Sequence, residues 1–198
     1  MNRERTIYER INGVLPRLMN SQLLENRGIG NEIGFYIFDY EPEHEMLVRD
    51  QTLRFRQKLL QAGIPVLDIN LFRVILDILE DRGFLEKALA LEQNKGPQAL
   101  GKALTPLLNA EKIVQVIRER LAPHHRLVFL TGIGPAWPLV RSHAILNNLH
   151  PVIGNVPVVA FFPGSYDGHE LRLFSTFKDD NYYRAFPLVP KEAPEVGS

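Results

Sequence analysis

The residues best placed to handle a ligand follow the apolar run Leu127-Val-Phe-Leu-Thr131, where Gly132-Ile-Gly134 leads toward a helix. A glycine turn between a strand and a helix is where parallel α/β sheets often hold phosphates, because it aims backbone N–H groups and a helix N-terminus at the ligand. The next residues do not fit that chemistry. A P-loop needs Lys and Ser or Thr after its last glycine, whereas Pro135-Ala-Trp-Pro138 follows here. The third glycine of a dinucleotide turn is missing too, and two prolines remove backbone donors. The segment therefore reads as a tight strand-to-helix turn. Behind it lie Arg141, Ser142, His143, Asn147 and Asn148. At about 100° per residue, His143 and Asn147 share a stripe with Val140, while Arg141 points with Ile145 and Asn148, so the set cannot line one pocket. Arg141 is left as a candidate partner contact, with an ion pair as its alternative.

Metal chemistry would draw on His124, His125, His143 and His169 with Asp39, Asp167, Asp179 and Asp180, but no pair has zincin or EF-hand spacing. Ser165 lacks the nucleophile elbow, since Asp167 stands where its second glycine should be. The absence of cysteine removes disulfides, thiolate metal sites and a Cys nucleophile. No catalytic, cofactor or metal role is assigned to any residue. Lys plus Arg equals Asp plus Glu at 23 each, and Arg54, Arg56 and Lys58, like Arg118, Arg120 and Arg126, read as solvated helix faces, so direct nucleic-acid binding is not expected.

Two further segments carry recognition chemistry. Phe161-Phe-Pro-Gly-Ser-Tyr-Asp-Gly168 leaves a strand through a turn-rich loop, although Asp167-Gly168 also suits a plain hairpin turn. Asp179-Asp-Asn-Tyr-Tyr-Arg184 sets two tyrosines and an arginine beside acids, the side chains in which interface centres are enriched. The candidate partner anchors are Tyr166, Asp167, Tyr182, Tyr183, Arg184 and Arg141.

These residues must be positioned by alternating elements. Ile7, Ile11, Val14 and Leu18 predict an amphipathic helix, with Pro16 a kink or early end. Phe35–Tyr40, Val66–Ile69, Arg126–Thr131 and Val156–Phe162 read as buried strands, and Leu171–Phe174 as a fifth. Pro42 opens a helix whose stripe is Met46, Leu53 and Leu60, broadened by Val48, Phe55 and Leu59. Asn70 caps a helix that Gly83 stops, and Leu139–Leu149 forms another. Between them Phe84–Gln93, a looser segment over 100–108 broken at Gly101 and Pro106, and Ala110–Leu121 capped by Asn109 form a helical insertion. Strands alternating with helices predict an α/β fold: a small, mainly parallel sheet flanked by helices, with a helical insertion in the middle.

The chain has 198 residues, 45% of them hydrophobic, enough for one core. One domain is expected over 1–186, with a loose tail over 187–198 because Pro187, Pro190 and Pro194 oppose regular packing. No stretch approaches the roughly 18 apolar residues of a membrane helix, and a cytoplasmic location is expected.

Four segments together carry a resemblance. They are Phe38-Asp-Tyr-Glu-Pro-Glu-His-Glu45, Phe129-Leu-Thr-Gly-Ile-Gly-Pro-Ala-Trp-Pro-Leu-Val-Arg-Ser-His143 with Leu146-Asn-Asn-Leu149, Phe161–Gly168 and Asn181-Tyr-Tyr-Arg-Ala-Phe186. In these the chain resembles the BrxB family of BREX phage-defence systems. The resemblance implies a non-enzymatic component acting beside the alkaline-phosphatase-like PglZ, the methyltransferase PglX and an ATPase. It supplies no catalytic residues. The alternatives are a nucleotide- or metal-dependent enzyme using a strand-end crevice near Asp39, Gly132 and Gly134, and a nucleic-acid-binding accessory protein.

Overall fold

Phe35–Tyr40 has little polarity to turn toward solvent, and in the computed structural model it becomes β1, an inner strand with all six residues buried. The structure describes residues 5–26, 34–178 and 185–192. Ahead of β1 lie α1 (Ile7–Leu18) and the short α2 (Ser21–Leu24). A single 3-10 turn at Pro42–His44 then opens α3 (Glu45–Gln61), which leads to β2 (Val66–Asn70). Three helices follow: α4 (Leu71–Asp81), α5 (Leu85–Leu104) and α6 (Ala110–Arg120). β3 (Leu127–Thr131) passes through α7 (Ile133–Ala136) and α8 (Ser142–Ile153) to β4 (Val158–Tyr166). The short strands β5 (Leu171–Leu173), β6 (Phe177–Lys178) and β7 (Phe186–Pro187) complete the order.

The sheet runs β2-β3-β4-β1-β7, all parallel along this path, while β5 and β6 extend β4 as an antiparallel hairpin. The chain first jumps from β1 to the far edge at β2, then returns stepwise through β3 to β4. Crossovers keep one hand, so reversing the direction of travel moves the connecting helices to the other face. α3 and α1 accordingly pack with Tyr36, Phe38, Phe129, Val159 and Phe161 on one face. The helices between β2 and β4 pack with Ile37, Ile69, Leu130 and Ala160 on the other. Both faces are covered, as the continuous apolar runs require.

The predicted strands are present, with the one expected over 156–162 running instead from Val158 to Tyr166 through the segment read as a turn-rich loop, and the predicted caps appear where expected. Asn70 accepts from the N–H of Arg73, and Asn109 from that of Lys112, both at 3.0 Å. Four other details differ. The stripe read on α3 divides: Val48, Phe55 and Leu59 are buried, whereas Met46, Leu53 and Leu60 are at least half exposed. At about 100° per residue, Met46 and Phe55 point in opposite directions, so one core could not bury both sets. The middle breaks at Gly96, whose φ of 79° leaves the helix just before Pro97, rather than at Gly101. The helix expected over 139–149 starts three residues later at Ser142 and runs on to Ile153, after the separate turn of α7. Finally, part of the expected loose tail is packed: the Leu188 N–H donates to the Ile37 carbonyl at 2.8 Å, and Leu188 and Val189 are buried. Prolines do not prevent this, since edge pairing asks for few N–H donors. Residues 193–198 lie outside the described residues.

Candidate functional site

A cleft of about 440 Å³ lies at the carboxyl ends of the parallel strands, where such sheets place ligands. Tyr40 of β1, Asp68 and Asn70 of β2, Thr131 at the end of β3 with Gly132 after it, and Arg49 of α3 are among its walls. Tyr40, Asp68, Thr131 and Arg73 in this lining are already engaged. The Tyr40 hydroxyl donates to Glu45 Oε2 at 2.7 Å, and burial, then the Glu45 charge, hold its pKa far above the usual phenol value. Arg56 reaches Asp68 Oδ2 at 2.7 Å, while the Thr131 hydroxyl donates to Oδ1 at 3.2 Å. Arg73 turns to Asp77 at 2.7 Å. Gly132 owes its identity to packing: its φ is 64°, and an added Cβ would overlap the Asn70 side chain that caps α4.

Asp39, the other acid of the proposed crevice, is not one of the residues lining this cleft. It lies in a closed ionic clasp. Arg10 of α1 donates through Nη2 to Asp39 Oδ1 at 2.7 Å and through Nη1 to the Asp39 carbonyl at 2.6 Å. Its Nε and Nη2 also reach the Val189 carbonyl at 3.2 Å, and its guanidinium lies 4.8 Å from the centre of the Phe38 ring. Lys191 Nζ and the Tyr166 N–H take Asp39 Oδ2 at 2.9 and 3.1 Å. Arg10 and Asp39 are each about 5% exposed, so full pairing is what makes their burial tolerable. Gly134 is elsewhere again, packed under Pro163 and Phe174. Asp39, Gly132 and Gly134 therefore do not form one pocket. Among the described residues, no three His, Asp or Glu side chains gather as metal ligands would.

The predicted anchors are spread as well. Tyr166 is buried, and its hydroxyl bridges the carbonyls of Ala185 at 2.7 Å and Gly168 at 3.0 Å. Asp167 is exposed and accepts from the N–H groups of His169 and Glu170 at 2.9 and 2.8 Å. Those bonds, Glu170 first, lower its carboxyl pKa below the ordinary value. Arg141 is exposed at the start of α8. Tyr182, Tyr183 and Arg184 lie outside the described residues. Close to β6, Trp137 stacks on the half-exposed Phe177 with ring centres 4.4 Å apart.

Sequence reasoning missed the partners Arg10, Lys191, Arg56 and Asp68. A signal existed for Arg10: on α1 it borders the stripe of Ile7, Val14 and Leu18, and a charge at a core-facing position calls for a buried counter-ion.

A family model described as "BREX protein BrxB" matches residues 67–188. The chain is 48% identical over 192 residues to a "BREX protein BrxB" of Bacillus cereus (strain H3081.97), covering 94% of this chain and 100% of the relative. It is 38% identical over 186 residues to a protein of the same description from Escherichia coli O9:H4 (strain HS), covering 93% and 92%. No solved structure matches the chain. With the resemblance first carried by four short segments now extending along nearly its whole length, the chain belongs to the BrxB family of BREX proteins.

Proposed function

We propose that the chain is a non-enzymatic adaptor of a BREX bacteriophage-defence system in the cytoplasm. It binds the alkaline-phosphatase-like PglZ and supports the assembly, with the methyltransferase PglX, that methylates host DNA and restricts phage. One observation carries the non-catalytic part of this reading. At the strand ends, where an α/β enzyme keeps its reactive groups, Asp39, Asp68 and Tyr40 are each committed to partners within the chain. Family membership supports the BREX setting. Asp167 and Arg141, with Tyr182, Tyr183 and Arg184, belong to the contact surface in this reading, and buried Tyr166 holds the end of that segment.

The experiment is an affinity capture of the tagged chain from cells carrying a complete BREX operon, followed by binding of the purified components one at a time. PglZ is expected to co-purify and to bind directly. A chain that elutes alone, or that binds ATP more tightly than about 100 micromolar, roughly −5.5 kcal/mol, would overturn the reading.

A further inference from the structure

On the path β2-β3-β4-β1-β7, β2 is the one strand of more than two residues with a partner on a single side among the described residues: β3 lies along it, and its other edge is open. The register shows which backbone groups that edge leaves over. The Val128 N–H donates to the Pro157 carbonyl, on the β4 side of β3. Backbone groups alternate along a strand, so Leu127, Phe129 and Thr131 turn theirs toward β2. Val66 is level with Leu127 in a parallel pair, so Leu67 and Ile69 supply the matching groups, while Val66 and Asp68 turn theirs outward. Among the described residues, none takes up these outward N–H and C=O groups.

Sheet edges are commonly guarded by an outward charge, a proline within the strand, a bulge or a covering element. β2 has no such guard. Asp68, its single charged residue, reaches inward to Thr131 of β3 and to Arg56 of α3. There is also room beside the strand. The strand-end cleft reaches Asp68 and Asn70, a second depression of about 390 Å³ reaches Pro65 and Val66, and the two meet at Leu53. Open space therefore follows β2 from end to end.

The unpaired backbone decides what fits. A helix closes its hydrogen bonds within itself and offers nothing to Val66 and Asp68. An extended chain presents donors and acceptors at the spacing of alternate strand residues, about 6.7 Å, and can send every second side chain into the two depressions. We propose that an extended segment of the partner protein pairs with the open edge of β2 through Val66 and Asp68, adding a strand to the sheet. The proposal rests on the adaptor reading and gives it a contact apart from the segment that carries Asp167.

The test is amide hydrogen exchange on the full chain, read residue by residue, alone and with purified PglZ. Alone, Val66 and Asp68 should exchange quickly, while bonds to β3 protect Leu67 and Ile69. Saturating PglZ should slow Val66 and Asp68 by about tenfold or more and leave Leu67 and Ile69 as they were. Amides newly slowed on PglZ should fall at every second residue of one segment. Val66→Pro deletes an outward donor where an edge tolerates proline, and should weaken PglZ binding about tenfold at an unchanged melting temperature. Leu67→Pro deletes an inward donor and should lower the melting temperature. Wild-type binding by Val66→Pro, PglZ bound without slowing Val66 and Asp68, or slowing at consecutive PglZ residues overturns the added strand and leaves the adaptor reading in place. Slow exchange at Val66 and Asp68 in the chain alone overturns it too, and a dependence on chain concentration would assign the edge to a second copy. If PglZ does not bind, the adaptor reading fails and this proposal fails with it.

Discussion

Asp39 and Asp68 lie toward the carboxyl ends of two parallel strands of one sheet. The Asp39 side chain is 5% exposed and meets two cations and a backbone N–H; that of Asp68 is 23% exposed and meets one guanidinium and one hydroxyl. Their partners also differ in reach. Asp39 joins α1, the end of β4 and the segment after β7, whereas Asp68 joins α3 to its neighbouring strand β3. Buried charge demands a complete set of partners, and at Asp39 these come from distant parts of the chain. At the open position water supplies part of the solvation, so Asp68 can keep a cleft wall in shape with fewer bonds. The same side chain is thus a long-range fastening in one place and local trim in the other.

The sharpest way to break this comparison is Asp39→Ala, which strands Arg10 and Lys191 beside a buried gap. A loss of about 3–5 kcal/mol is expected in urea unfolding; a loss under about 1 kcal/mol would mean that the clasp is not the fastening described. Gly132→Ala comes next, at about 2 kcal/mol or more, because it combines a left-handed backbone with overlap on the α4 cap. The companion variant Asn70→Gly should recover part of that loss by removing the overlap. Asp68→Ala should cost at most about 1 kcal/mol and leave binding of a partner at the Asp167 segment unchanged. A larger cost would place Asp68 nearer to Asp39 in kind.

The smallest effect is at Asp167, an exposed carboxylate held by two backbone N–H groups. Its pKa is lowered on folding, so the stabilisation is present above the unfolded value and is lost as pH falls through the range below about 4. The melting-temperature difference between wild type and Asp167→Ala should therefore be seen at pH 7 and shrink toward pH 3. A difference that stayed constant over that range would remove the carboxylate charge from the account.

The alternation of strands and helices was legible because Phe35–Phe38, Leu127–Leu130 and Val158–Phe162 are buried on both sides and read as apolar runs. Gly132 was legible as a turn, but the reason for it was not, since Asn70 lies far away in sequence. On α3 the apolar residues were visible, yet assigning them all to one stripe ignored the direction in which each one points. The candidate site was the least legible part. Nothing local to Asp39 announces Lys191, and a proline-rich ending hides two core residues, Leu188 and Val189. Residue type marks who can interact; pairing across most of the chain decides who does.

Arg10 and Val189, which the clasp brings together, are 179 residues apart in sequence. At a synthesis rate of about 5–20 residues per second, roughly ten to forty seconds separate their emergence from the ribosome. Until then the apolar side of α1, with Ile11, Val14 and Leu18, lacks the cover that Leu188 and Val189 provide. The opposite layer, α4 through α8, draws on nearer neighbours and can condense first. This orders the two layers in time: the face that begins with α1 is finished last, and during that interval the nascent chain offers a greasy helix to whatever chaperone is waiting.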